Sequence, residues 1–203
     1  MRHNFLRRAA AVLFVLLAAT VSAQIAESDD VFIPEYALGD QTLSINLGLF
    51  VPLFYSGGPD GVTSTNLTLG GAGSIAWASH ITNEFRLGAE LGGSFALTPN
   101  RRTLFIVPIT ANATYTFQAY PFEFPVSLGL GMSVARLEDL LKLDPFIRPG
   151  VGFYWNHSSQ WAFGANLRYW LIPQIYSDRG EAGAGESRLG SFLEFTLSAL
   201  YRF

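Results

Sequence analysis

From Gln41 to Phe203 the chain places an apolar residue at every second position, segment after segment. Leu43, Ile45, Leu47, Leu49, Val51, Leu53 and Tyr55 alternate with Thr42, Ser44, Asn46 and Gly48. Phe85, Leu87, Ala89, Leu91, Phe95 and Leu97 alternate with Arg86, Gly88, Glu90, Gly92 and Ser94. The same period runs through 126–134, 161–171 and 193–203, and more weakly through 63–79, 103–117 and 146–155. Successive side chains of a strand point to opposite faces, so this period demands sheet with one apolar and one polar face. Turn-forming stretches separate the segments: Ser56 to Gly61, Thr98 to Arg101, and the Gly-rich Ser177 to Ser187. The count is eight strands. Pro52, Pro108 and Pro149 fall inside them, each removing a ladder donor, so bulges or early strand ends are expected there. Ala135 to Leu143 has a helical pattern and is expected to cap a loop, and Gln118 to Phe124 is expected to be a connection of more than minimal length.

Composition then decides which face meets solvent. Hydrophobic residues make up 49% of the 203 and charged residues only 14%, where a soluble domain carries about 25% charged. Without the first 23 residues, the chain holds 10 basic and 16 acidic side chains. That balance excludes a nucleic-acid binder, which needs a basic face. A secreted ligand-carrying barrel has the same period with its apolar face inward, but its outer polar face needs a dense charge cover. Here the polar face offers mainly Arg86, Glu90, Arg148, Arg168, Glu194 and Arg202 among Gly, Ala, Ser, Thr and Asn. The apolar face is therefore expected to meet lipid, and the fold class to be all-β: an eight-stranded antiparallel up-and-down transmembrane β-barrel over 41–203. Aromatic belts are expected at both interfaces, Phe85, Phe117, Trp155, Trp161, Tyr201 and Phe203 near the short-turn rim, and Tyr55, Phe95, Phe105 and Tyr169 near the other.

Ahead of the barrel, Met1 to Ala23 has a basic start (Arg2, Arg7, Arg8), an apolar stretch from Ala9 to Ala19 and the small-residue site Val21-Ser22-Ala23. This is the three-part form of a cleaved secretory signal. Residues 24–40, acidic from Glu27 to Asp40, are expected to form a solvated periplasmic segment.

The last strand, Phe195-x-Leu197-x-Ala199-x-Tyr201-x-Phe203, resembles the carboxy-terminal strand that outer-membrane proteins present to the barrel-assembly machinery. With the signal segment and strand count, the chain resembles the small eight-stranded bacterial outer-membrane barrels, the group that includes OmpX, OmpW and the OmpA membrane domain. The resemblance implies an outer-membrane location and recognition through Phe195, Leu197, Tyr201 and Phe203. Outer-membrane lipid and the assembly machinery are the expected partners, and a monomer is the expected state.

An eight-stranded barrel is just wide enough for side chains to fill it. Counting from the short-turn rim puts Glu90, Arg148, Arg168 and Glu194 at one height, with Arg86 and Arg202 on the same face, and predicts a neutral ionic plug. Above it, Phe50, Phe54, Phe146, Trp170 and Phe192 are expected to point inward near the long-loop mouth. They form either a packed aromatic lid or, as in the OmpW-type barrels this feature resembles, an apolar route for small hydrophobic solutes. The long loops, carrying Arg101, Arg102, Asp178, Arg179, Glu181, Glu186 and Arg188, are candidates for binding an extracellular ligand.

No enzyme is expected. His157-Ser158-Ser159 is similar to the His-x-Ser piece of lipid A deacylases, but no acid follows until Asp178, and the topology puts His157 in a short periplasmic turn. With no cysteine, and with His80 and His157 as the histidines beyond the signal, neither a metal site nor a cofactor is expected. Gly70-Gly71-Ala72-Gly73 lies within a strand and opens no helix, so it cradles no phosphate.

Overall fold

The computed structural model describes residues 35–57, 61–97, 103–137, 140–174 and 188–203. The signal segment 1–23, residues 24–34, and the loop charges at 101, 102, 178, 179, 181 and 186 lie outside these. Among the described residues nine antiparallel strands form: β1 (Gln41–Ser56), β2 (Val62–Ser64), β3 (Gly70–His80), β4 (Phe85–Leu97), β5 (Thr103–Ala119), β6 (Phe122–Leu137), β7 (Leu140–Asn156), β8 (Trp161–Gln174) and β9 (Arg188–Arg202). The short β2 folds back on the upper end of β1, and the other eight are the staves of the barrel. Each stave pairs with its neighbour in sequence, and β9 closes the sheet on β1 from Thr42 opposite Arg202 to Ser56 opposite Leu189. Gln41 N–H donates to the Phe203 carbonyl and Phe203 N–H to the Gln41 carbonyl, both at 3.0 Å, which seals the foot of the seam. Closure of β9 on β1 removes the free edges the first and last staves would otherwise show, which is what hydrocarbon requires of a spanning sheet.

The two faces part as the period demands. Asn46 is 0% exposed and its neighbour Leu47 66%. Leu43, Ile45, Leu49, Leu91, Ile109, Leu128, Leu130, Val151 and Leu197 stand on the outside, while Thr42, Thr110, Thr114, Asn166, Thr196 and Ser198 are buried within. An apolar wall this continuous belongs in lipid. Aromatic rings gather toward the end that carries both termini of the barrel: Trp161 lies 4.9 Å from Tyr201, Tyr201 6.1 Å from Phe203, and Phe122 5.2 Å from Phe153. Toward the other rim Phe95 and Phe105 meet at 6.5 Å. Of the terminal motif, Phe195, Leu197 and Tyr201 lie on β9 and Phe203 follows its last residue; Phe195, Leu197 and Phe203 are exposed and Tyr201 is half-buried.

Several local expectations are corrected. Among the described residues of 135–143 there is no helix: β6 runs to Leu137 and β7 starts at Leu140, with Val134 opposite Leu143 and Leu137 opposite Leu140. Pairing of β6 with β5 on one side and β7 on the other outweighs the short helical pattern. Gln118 to Phe124 is no long connection, because β5 and β6 pair down to Ala119 opposite Phe122 and leave only Tyr120-Pro121 to turn. The expected strand over 63–79 is broken into β2 and β3 by coil at 65–69, where Asn66 adopts a φ of 52°. Of the three prolines, Pro52 carries a bulge, the register of β1 against β9 shifting between Pro52 and Phe54. At Pro108 and Pro149 the register holds, with Leu91 opposite Ile109 and Ser94 opposite Ile106, and with Ile147 opposite Leu171 and Gly150 opposite Arg168.

Candidate functional site in the barrel lumen

The lumen is built in layers, each set by which strand positions point inward. At mid-height Glu90 (β4), Arg148 (β7), Arg168 (β8) and Glu194 (β9) come together. Arg148 Nη2 donates to Glu90 Oε2 at 2.7 Å, and Arg168 Nη1 donates to Glu90 Oε1 at 3.0 Å and to Glu194 Oε1 at 2.9 Å. Arg148 Nη1 lies 3.8 Å from Glu194 Oε2. Two guanidiniums and two carboxylates cancel in charge, and Asn112 adds a donor to Glu90 at 3.2 Å. Buried ions persist only when paired and hydrogen-bonded in this way.

Above lies the apolar layer. Phe50, Phe146, Trp170 and Phe192 are buried together with Ala96, Ile106 and Ile172. Phe146 stacks on Trp170 at 4.7 Å, Phe50 meets the Trp170 edge at 5.9 Å, and Phe50 stacks on Phe192 at 5.1 Å. Trp170 joins the two layers: its Nε1–H donates to Glu194 Oε2 at 3.0 Å, and the Arg148 guanidinium sits 5.0 Å over its ring. Phe54, expected here, is not part of the lid. The bulge after Pro52 inserts Leu53 and reverses the phase of β1, so Phe54 faces out and Tyr55 turns in against Phe192 at 6.3 Å. Tyr55 is correspondingly lost from the outer belt.

Below the ionic layer is a polar chamber of about 60 Å³, walled by Thr42, Arg86, Thr114, Tyr154, Asn166 and others. Tyr154 O–H donates to Ser198 Oγ at 2.9 Å and accepts from Asn166 Nδ2 at 3.0 Å. Arg86, expected within the ionic network, is not in it and has no ion pair or hydrogen bond from its side chain among the described residues.

The floor was not visible in sequence. Arg202, expected within the same ionic network, instead pairs with Glu123 at 3.1 Å and donates to Asn156 Oδ1. Glu123 also accepts from Asn156 Nδ2 at 3.0 Å and from the Tyr36 hydroxyl at 2.6 Å. The expected solvated tail is thus corrected at Tyr36. Its ring stacks on His80 at 4.2 Å and lies 5.4 Å from the Arg202 guanidinium, and its N–H donates to Asn83 Oδ1 at 2.8 Å. Burial, followed by the Glu123 carboxylate, holds the Tyr36 phenol far above its ordinary range. His80 is the buried last residue of β3. Glu123 had a signal, since Phe122, Phe124 and Val126 extend the alternation of β6 downward and put 123 on the inner face. Tyr36 had none, because a segment that docks with one side chain has no period.

A protein-family model matches residues 23–201, the barrel included. The chain belongs to that family. Among its relatives, an uncharacterized protein of Borreliella burgdorferi is 31% identical over 155 residues, covering 66% of this chain and 73% of the relative. An uncharacterized protein of Treponema pallidum (strain Nichols) is 28% identical over 149 residues, covering 68% of each. Similar solved structures include the outer membrane protein OprG from Pseudomonas aeruginosa (TM-score 0.59, 10% identity, 85% of this chain and 99% of that one). Neisserial surface protein A is also similar (TM-score 0.56, 14% identity, 81% and 97%). The fold of this family member is that of the bacterial outer-membrane β-barrels.

Proposed function

We propose that this outer-membrane barrel is a non-conducting, non-enzymatic scaffold that holds its long loops at the cell surface for contact with an external ligand. The filling of the lumen supports this: four large aromatic side chains in mutual contact, an ion-paired layer beneath them, and the Tyr36–Glu123–Arg202 floor. Moving a hydrated solute through would require parting each layer, and breaking a buried ion pair is costly. A scaffold role also fits His157, which is exposed in its turn 5.2 Å from the Trp155 ring, while Ser158 Oγ accepts the Trp161 N–H at 3.1 Å. Refolded wild-type protein in planar bilayers is expected to give no discrete single-channel steps. Stable openings that disappear in Arg168→Ala would overturn the proposal.

One feature favours a second reading, passage of small apolar solutes. At the level of the lid, the wall between β1 and β4 is coil at 65–69 rather than paired strand, and Leu67 of that coil packs on the lid. Saturable quenching of Trp170 by an apolar probe, absent in Leu67→Asp, is the result this reading requires.

A further inference from the structure

The charges of the lower lumen do not balance. Glu90 and Glu194 are matched by Arg148 and Arg168, and Glu123 by Arg202. Arg86 is left over. Its side chain is half-buried on the wall of the polar chamber, between the ionic layer above and His80, its cross-strand partner, below. A guanidinium carries five N–H donors and cannot shed its proton, and a charge enclosed by a barrel wall in lipid is costly unless compensated. The one carboxylate on the chamber wall, Glu90, is already taken at both oxygens, by Arg148 with Asn112 and by Arg168.

We infer that the chamber is a binding site for a small inorganic anion of halide size, held against the Arg86 guanidinium. Its volume of about 60 Å³ is room for roughly four water-sized probes. That admits a halide with residual water and excludes a six-carbon organic anion. Hydroxyl donors line the space: Thr42, Ser44 and Thr114 stand on its wall, and each can turn its O–H toward an anion. Ala76, Ala78 and Gly88, small residues of β3 and β4, line the same chamber and leave room beside the Arg86 side chain. The anion is a resident counter-ion, and the assignment stands whether or not the barrel conducts.

The test uses the full chain refolded in zwitterionic detergent. Chloride is exchanged for gluconate at constant ionic strength, and the melting temperature is followed in wild type and Arg86→Gln. The expected result is a Tm that climbs with chloride in wild type and stays flat in the variant, since a ligand bound only by the folded state stabilises it in proportion to its occupancy. Crystals grown in bromide supply a measurement that does not depend on the variant folding, with an anomalous peak expected beside the Arg86 guanidinium. A wild-type Tm indifferent to chloride, an equal chloride response in Arg86→Gln, or bromide crystals without a peak at Arg86 would each overturn the assignment and leave water as the solvent of that charge.

Discussion

Glu90 holds two guanidiniums at once, at 2.7 and 3.0 Å, while almost wholly buried. Replacing it by Gln leaves Arg148 and Arg168 with one shared acid, Glu194. Removing one partner of a buried pair typically costs about 3–5 kcal/mol. Glu90→Gln is therefore expected to lower the stability of the refolded barrel by an amount of that order, read from its urea midpoint. A loss below about 1 kcal/mol, the scale of a surface pair, would mean that water reaches the layer. Glu90, Arg148, Arg168 and Glu194 were legible in the sequence because strand period and height together fix where an inward residue sits. Arg202 was misplaced because its partner, Glu123, belonged to a stretch expected to be loop. Height alone gives a residue its level, and the partner must be known before the pair is.

The strands themselves followed from the alternation, and the errors gathered where a single residue breaks phase. Pro52 marked a bulge, but a proline does not say which residue is extra, so Phe54 and Tyr55 were assigned to the wrong faces. The expected helix at 135–143 fails for a different reason, a local helical pattern overridden by the pairing of β6 with β5 and with β7. A maleimide reagent applied to folded protein is expected to label Phe54→Cys readily and Tyr55→Cys slowly, the latter packed against Phe192. Equal rates would argue that β1 runs without a bulge. Glycine in this wall is also positional: a side chain at Gly48 would place its Cβ 1.9 Å from the Phe195 carbonyl oxygen, across the seam to β9.

The barrel is a tube stoppered at both ends, by rings above and by Tyr36 below. The lower stopper is pH-sensitive in a definite direction. The folded state raises the Tyr36 pKa above the ordinary value of about 10, so its contribution is complete below that pH and is lost as pH rises beyond it. The stability difference between wild type and Tyr36→Phe is expected to be constant from neutral pH to about 10 and to fall in stronger alkali; a difference that grows there would contradict the geometry of the floor. The seam between β1 and β9 bears on how such a tube comes to exist. Every other stave meets a partner close by in sequence, but Thr42 must find Arg202, about 160 residues away, and closing so large a loop carries an entropic cost that the neighbouring hairpins do not. Closure is therefore the slow, late event of folding, and until it happens β1 and β9 offer two bare edges to the lipid, where another chain's strand could take the place of the proper one.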